Sequence, residues 1–477
     1  MSTPLSQEQK TVHFLNRTSF GPTRSEVERV NRLGLRPYLD EQLRPNSLPD
    51  NLLEEKLAGL KTMRLSNREL IELYPPPQVA RQQADQQGQG MMTRQEMQRP
   101  AMIIVELQQA RLLRSIYSQR QLFEVMVDFW SNHFNVFSAK GADRWLTTAY
   151  DRDTIRPHAL GKFRELLLAT AQSPAMLFYL DNWLSASPDS PGARFGGQNN
   201  RRRGLNENYA RELMELHTVG VDGGYTQKDV VEVARCFTGW TIRQPQQRGE
   251  FLYEPRIHDN GEKIVMGTRI PAGGGIDDGK KIIDLLARHP ATARFIAEKL
   301  SRRFIADQPP ASIVDKAAAT FRQSDGDIPS VLRTIIDSAE FFAPENYRAK
   351  IKKPLEYVAS AVRALGAETQ VTHQLFRYVG RMGEPLFLAQ PPTGYPDVAS
   401  SWISPDMLLT RMNFIADLVG NRLPGSRVAA EALRDKETFL RLIAPDGLSS
   451  ATRAAIAESE GGQAIALAMA APEFQRR

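Results

Sequence analysis

The sequence has a single cysteine, Cys236, among its 477 residues. No intrachain disulfide can form, so the fold cannot depend on one. Cys236 lies in the apolar stretch VVEVARCF (230–237), which predicts that it packs as a small hydrophobic residue rather than acting as a nucleophile. With 41% hydrophobic and 24% charged residues, the rest of the composition is ordinary for a globular protein.

An excess of charge of one sign is also lacking, because 61 basic and 55 acidic residues give a net charge of only +6. The one short basic run, Arg201–Arg203, is interpreted as a solvated loop. No apolar run approaches the ~18 residues of a membrane span. We therefore expect neither nucleic-acid binding nor a membrane span. The first residues lack a basic-then-apolar export signal, so we expect a cytoplasmic protein, or a periplasmic one if a leader has been removed.

Internal repeats and an alternation of strands with helices are both missing, which argues against a parallel sheet. Helical periodicity dominates, and it predicts an all-α fold: one large multi-helix domain over residues 1–477. The exception is the segment 251–271, where Asn260 and Gly261 predict the turn of a single β-hairpin insertion. Two stretches rich in Pro, Gln, Gly or Ser are predicted to be mobile insertions: 74–100 and 185–204.

Familiar enzyme motifs are absent as well. The glycine-rich tract AGGGIDDGKK (272–281) precedes a helix, but a phosphate loop needs Ser or Thr after Lys280, and Lys281 stands there. The sequence contains neither a Gly-x-Ser-x-Gly elbow nor an HExxH zinc helix. A functional site therefore has to be sought in groups of polar residues.

One such group is the stretch NENYARELMELH (206–217). In a helix, Glu207, Arg211 and Glu215 line up at i, i+4 and i+8, and Glu212 shares a stripe with Glu215. The acids either form surface pairs with Arg211, each worth ~0.2–0.5 kcal/mol, or face into a site. His217 projects nearly opposite Glu212 and Glu215 in a regular helix, so it joins them only if the helix ends near Glu215.

A second group lies in QLFEVMVDFWSNHFNVF (121–137), which is apolar on almost every side and predicts a central buried helix. Glu124, Asp128 and Asn132 recur every four residues along it, and His133 follows. Acids in such a helix need partners, because an unpaired buried charge costs several kcal/mol. The partners are either arginines, in a structural network, or a cation or substrate. Asn132 and His133 are the stronger functional candidates because they are polar in the densest aromatic stretch.

A third contribution is expected from His258 and Asp259, at the mouth of the predicted hairpin. Residues carried on a rigid turn often serve a site. The alternative is that Asp259 only starts the Asn-Gly turn and that His258 has no role.

Long segments of the chain resemble the bacterial DUF1800 family. The resemblance rests on HFLNRTSFGPT (13–23), DFWSNHFNV (128–136), NENYARELMELHTVGVDGGYTQKDVVEVARCFTGW (206–240), HDNGEKIVMG (258–267), HPATARFIAEKLSRRFIAD (289–307), KKPLEYVASAVRALG (352–366) and the loop from Gly394 to Trp402. It implies a mostly helical fold. It also implies a partner, because DUF1800 members are often encoded beside DUF1501 proteins, which look like relatives of sulfatases and alkaline phosphatases.

The predicted site lies between the two helical segments, with the hairpin approaching it. The preferred interpretation is an enzyme with a buried carboxylate and histidine pocket, which performs metal-assisted hydrolytic or redox chemistry or uses a carboxyl group as general acid or base. The alternative is a non-catalytic partner or scaffold of a DUF1501-type protein. The candidate catalytic residues are Glu207, Arg211, Glu212, Glu215, Asn132 and His133. The candidate ligands of a divalent metal are Asp128, His133, Glu212, His217, His258 and Asp259.

Overall fold

The computed structural model describes residues 3–76, 79–80, 99–190 and 204–477. Most of the two stretches predicted to be mobile, 74–100 and 185–204, lies outside these residues. At the described start of the second stretch, Ser185 and Ala186 are buried.

Helices dominate the described part of the chain, with 24 α-helices and only three two-stranded sheets, so the predicted mostly helical fold is confirmed. Three of the first five helices begin with a capping box, in which Ser6, Thr23 or Ser66 accepts a hydrogen bond from the backbone three residues on. These five are α1 (Gln7–Thr18), α2 (Arg24–Leu33), α3 (Leu35–Gln42), α4 (Asn51–Leu57) and α5 (Asn67–Leu73).

The next group of helices includes the predicted central helix, which forms as α7. Its residues Leu122, Val125, Met126 and Trp130 are completely buried, which confirms the prediction of a buried helix. This group comprises α6 (Ala101–Tyr117), α7 (Gln121–His133), α8 (Asp143–Ala149), α9 (Phe163–Gln172), α10 (Pro174–Tyr179), α11 (Glu207–Glu212) and α12 (Gln227–Cys236). Two π-helical segments continue α8 and α11, at Tyr150–Ile155 and Leu213–His217.

The predicted segment 251–271 does form β-structure, but it holds parts of two sheets, and the predicted pairing is wrong. Strand β1 (Trp240–Arg243) pairs with β2 (Glu250–Tyr253), and β3 (Lys263–Val265) pairs with β4 (Thr268–Ile270). The tight turn falls at Met266 and Gly267, where both residues have positive φ (48° and 78°), as a two-residue hairpin turn requires. At Asn260–Gly261 the Asp259 carboxylate instead accepts the Gly261 N–H and the Arg235 guanidinium, which ties this segment to α12.

The remaining helices complete the fold after β4. Proline at the first helical position starts several of them, where its missing N–H costs nothing. They are α13 (Ile276–Arg288), α14 (Pro290–Phe304), α15 (Ala311–Gln323), α16 (Ile328–Ile336), α17 (Pro354–Ala364), α18 (His373–Arg381), α19 (Pro405–Val419), α20 (Ala430–Arg434), α21 (Lys436–Ile443), α22 (Ser450–Ala457), α23 (Gly461–Ala470) and α24 (Pro472–Gln475). The last sheet pairs β5 (Glu368–Thr369) with β6 (Ser426–Arg427).

One hydrophobic cluster extends through the described residues, from Phe14 in α1 to Phe474 in α24. The segments on either side of the strands therefore share a core, with α7 inside it. Across the described residues, no helix has both the length and the apolar character that a bilayer crossing requires.

Candidate functional site

The carboxyl end of α7 carries the polar side chains that its sequence placed among aromatic residues. The ring of His133 lies parallel to Phe129, at 6.3 Å between centroids and 4° between planes, and meets Phe134 edge-on at 4.5 Å. His133 is 2% exposed. This aromatic setting fixes the ring orientation and removes water from most of its surface.

Both ring nitrogens of His133 have partners. Nε2 lies 3.1 Å from the carbonyl oxygen of His217, and Nδ1 lies 2.9 Å from Lys299 Nζ. A carbonyl can only accept, so Nε2 donates and Nδ1 is left as the acceptor for the lysine amine. Burial, Lys299 and His217 together lower the pKa of His133 well below 6.5, so the ring is neutral near pH 7.

Lys299 comes from α14, one turn after Phe295, whose ring centroid is 5.2 Å from the lysine nitrogen. Within the part of the chain that the structure describes, no carboxylate lies within ion-pair distance of this amine. Burial and the neighbouring Arg302 lower its pKa to about 8. Lys299 is therefore a cation held by a neutral histidine rather than by an acid.

These residues border a cleft of about 230 Å³ between α7, α14 and the loop that precedes α19. Four lining side chains are cationic and one is acidic. The polar and charged lining residues are Asn132, His133, Lys299, Arg302, Arg303, Lys353, Thr393, Tyr395 and Asp397.

The acid of the cleft, Asp397, is already paired, since its carboxylate lies 3.0 Å from Lys350 Nζ. Burial would raise the pKa of Asp397, but Lys350 and Arg477 outweigh burial and lower it. Three of the cleft cations also have carboxylate partners: Arg302 with Glu298, Arg303 with Glu356, and Lys353 with Asp128 and Glu384. Lys299 is the cleft cation that no described carboxylate balances.

Asn132 holds the loop that forms the far wall. Its amide donates to the Tyr395 carbonyl at 2.8 Å and its oxygen accepts the Tyr395 N–H at 2.7 Å. Gly394, with φ +67°, allows this approach, because a Cβ there would lie 2.3 Å from the Asn132 carbonyl oxygen. Asn132 thus shapes the cleft by positioning a loop.

Behind Lys353 lies a smaller cavity of about 50 Å³, where Asp128 is found. The Asp128 carboxylate lies 3.1 Å from Lys353 Nζ and 3.6 Å from Arg111. Glu384 lies 3.4 Å from Lys353, and burial raises its pKa to about 7 even though Lys353 opposes the shift. The sequence left open whether the acids of α7 pair with basic side chains or bind a cation or substrate. Asp128 pairs with basic side chains.

The acids of the 206–217 stretch point away from this cleft. Arg211 lies 3.4 Å from Glu207 and 3.6 Å from Glu215, and these three side chains are 37%, 39% and 26% exposed respectively. Glu212 is half-buried, and burial and Glu215 raise its pKa. These four residues, which were predicted to be catalytic, therefore do not line the cleft that contains His133.

His217 from the same stretch does reach the site. The π-helical turn Leu213–His217 ends with His217 buried, and its ring centroid lies 6.0 Å from that of His133. Burial and Lys299 lower the pKa of His217 to about 3. The two predicted helical segments therefore meet through their histidines, with the acids on the outer side.

His258 and Asp259 lie in a third place. His258 is buried against Asp278, at 3.3 Å, and Thr238. Asp259 accepts a two-pronged hydrogen bond from Arg235, at 2.9 and 3.0 Å. Burial would raise the pKa of Asp259, but the Arg235 contact lowers it. Neither residue lines the cleft beside His133.

The six residues predicted to share a divalent metal do not lie together. The six proposed ligands are distributed over separate clusters, and among the described residues no three His, Cys, Asp or Glu side chains are grouped so that they could hold an ion. The cleft itself offers a neutral histidine that is already hydrogen-bonded and one paired carboxylate, in a cationic setting that repels a divalent cation. These donors do not fit a divalent metal.

A family model described as "Protein of unknown function (DUF1800)" matches residues 13–476. The chain belongs to the DUF1800 family. Neither the curated proteins nor the solved structures gave a match to it.

The DUF1800 segments recognised in the sequence converge on the cleft. Segment 128–136 supplies Asn132 and His133, segment 289–307 supplies Lys299, and the 352–366 and 394–402 segments supply Lys353 and Tyr395. The predictions missed the last three of these residues. The only local signal was a lysine in the buried stripe of α14, and nothing in the sequence indicated which helix it would face.

Proposed function

We propose that this DUF1800 protein is an enzyme that acts on a small anionic substrate bound in the cleft between α7 and α14. One observation carries the proposal: the Lys299 amine borders the cleft without a described carboxylate to balance it. An anionic group beside it would restore the hydrogen-bonded charge pairing that partly buried cations require.

The size and charge of the cleft support a small ligand. At about 230 Å³ it has room for a molecule of roughly ten non-hydrogen atoms. Arg302, about one-third exposed, lies one turn after Lys299 and can supply a second positive charge. A carboxylate or a phosphate group satisfies both residues, and the fork of an arginine suits either.

The pair of His133 and Lys299 supports acid–base chemistry. A group that titrates near the working pH is the most effective proton donor or acceptor, and the pKa of Lys299 is about 8. His133 Nδ1 accepts a hydrogen bond from this amine. It can therefore hold the amine in place in both its protonated and its neutral form. Two residues of the predicted catalytic set have a role in this proposal. His133 accepts a hydrogen bond from Lys299, and Asn132 positions the loop.

Calorimetric titration with phosphate, sulfate and acetate tests the binding step. We expect at least one of these anions to bind the wild type, and Lys299→Met to weaken it about tenfold or more, since a hydrogen bond to a charged group contributes about 1.5–3 kcal/mol. Lys281→Met removes the same charge from an exposed site and is the matched control. If no anion binds, or if Lys299→Met binds as tightly as Lys281→Met, the proposal fails.

The catalytic step is tested on a panel of small phosphate esters, sulfate esters and oxo acids. Conversion of a panel member by the wild type, lost in both Lys299→Met and His133→Gln, is expected. The alternative role as a partner of a DUF1501-type protein stays a prediction from the family resemblance. It is favoured if no panel member is converted while a co-expressed DUF1501 protein binds wild type and Lys299→Met equally.

A further inference from the structure

We propose that Lys299 forms an imine with an aldehyde or ketone group of the substrate, an inference that rests on the proposed function of the cleft. The substrate class is then a small oxo acid or a phosphorylated carbonyl compound. Its anionic group faces Arg302, and its carbonyl carbon lies at the lysine nitrogen.

The cleft has two lysines in different settings. Lys353 Nζ lies between the carboxylates of Asp128 and Glu384, at 3.1 and 3.4 Å. Burial would lower the pKa of Lys353, but Asp128 and Glu384 raise it, so this lysine stays an ammonium ion. An ammonium ion has no lone pair with which to attack a carbonyl group, which excludes Lys353.

Lys299 has the opposite setting. Its hydrogen-bond partner is the neutral Nδ1 of His133 at 2.9 Å, and its nitrogen lies 5.2 Å from the centroid of the Phe295 ring. Loss of a proton from this amine leaves no described carboxylate unpaired. Burial favours the neutral amine, in keeping with its pKa of about 8. At about pH 7.5 the neutral fraction is on the order of a hundredfold higher than for an ordinary lysine.

The step balances without an oxidant or reductant. The neutral Lys299 amine attacks the carbonyl carbon, and the carbonyl oxygen takes up a proton to give a carbinolamine. The nitrogen gives up one proton, so the carbinolamine is neutral. A proton then adds to the hydroxyl group, which leaves as water while the nitrogen lone pair forms the carbon–nitrogen double bond, and loss of the last N–H proton gives the neutral imine. The Thr393 side chain also lines the cleft, and its hydroxyl group can hydrogen-bond to the departing oxygen. His133 Nδ1 is the acceptor nearest to the amine.

Reductive trapping tests the inference on the full chain. Wild-type protein is incubated with pyruvate and sodium cyanoborohydride, which reduces an imine to a stable secondary amine, and the modified lysine is located by peptide mass spectrometry. We expect a gain equal to the mass of pyruvic acid less one oxygen atom at Lys299. Exposed Lys281 serves as the internal comparison and should be labelled about a hundredfold more slowly.

Lys299→Arg separates the covalent step from anion binding, because arginine keeps the charge but does not form the imine. Circular dichroism establishes that the variant is folded. Retained phosphate binding with loss of the label in Lys299→Arg supports the inference. Phosphate binding by the wild type with no more label at Lys299 than at Lys281 overturns the imine and leaves the proposed anion site standing. Absence of both binding and label overturns both proposals.

Discussion

At the residue scale, two buried histidines near the cleft are kept uncharged. His133 and His217 come from α7 and from the π-helical turn after α11, and each is 2% exposed. Burial and the nearby Lys299 lower the pKa of both. A neutral His133 can accept a hydrogen bond from the lysine, whereas an imidazolium ion would repel it.

Replacement of His217 by glutamine is expected to make folding less sensitive to acid. The pKa of His217 is about 3 in the folded protein and 6.5 ordinarily, so between these values the unfolded chain binds a proton that the folded protein does not. This part of the stability is present above pH 6.5 and is lost as the pH falls toward 3. From pH 7.5 to pH 5, wild type should lose about 2 kcal/mol more than His217→Gln in free energy of unfolding, measured in urea.

His373→Gln is the matched control, because His373 is exposed at the start of α18. Its ring meets water in the folded and unfolded states alike. Equal pH dependence of His217→Gln and wild type would show that His217 is not kept neutral by the fold.

At the scale of elements, the cleft exists because a loop is fixed to the end of α7. Asn135 donates to the carbonyl oxygens of Ala389 and Pro391, both at 2.9 Å, and Asn132 makes two hydrogen bonds to Tyr395. The side-chain amides of Asn132 and Asn135 hydrogen-bond to the backbone of the loop, and these bonds hold loop residues 393–398 over the cleft.

Gly394→Ala is expected to displace this loop. The added Cβ would lie 2.3 Å from the Asn132 carbonyl oxygen and 2.6 Å from its side-chain oxygen, in a residue with φ +67°. We expect a loss of about 2–5 kcal/mol in the free energy of unfolding and weaker anion binding. Gly366→Ala has a similar positive φ (+56°) but open space around it, so it should cost only about 1–2 kcal/mol and leave binding intact. Thermal and urea unfolding with calorimetry compare the two; equal losses would contradict the packing explanation.

At the scale of the whole molecule, a buried ionic network connects distant parts of the chain. Glu356 of α17 lies 2.8 Å from Arg303 of α14 and 2.9 Å from Arg477, and all three side chains are 2–3% exposed. Burial would raise the pKa of Glu356, but the two arginines lower it to about 2. This carboxylate thus joins the helix that carries Lys299 to the far end of the chain.

Glu356→Gln is expected to cost about 3–5 kcal/mol in the free energy of unfolding, because it leaves two buried guanidinium groups without their counter-charge. Glu345→Gln, at an exposed position, should change stability by about 0.5 kcal/mol or less. Urea unfolding of both variants measures the difference. A Glu356→Gln protein as stable as Glu345→Gln would mean that water or another group compensates the arginines.

The sequence alone determined what local periodicity and burial can encode. It predicted the mostly helical fold and the buried helix α7, because both follow from periodicity along the chain. It placed His217 opposite the Glu212–Glu215 stripe for a regular helix, whereas the structure has a π-helical turn at Leu213–His217. The prediction of a hairpin turn at Asn260–Gly261 was wrong, because a side-chain contact between Asp259 and Arg235 outweighed the local turn preference.

Only the tertiary structure decided which residues share the cleft. Lys299 and His133 are 166 positions apart, and Asn132 and Tyr395 are 263 apart. No local pattern fixes contacts at such separations, since they depend on how whole helices pack. The same packing left Glu207 and Glu215 partly exposed beside Arg211 and placed the Lys299 amine against His133.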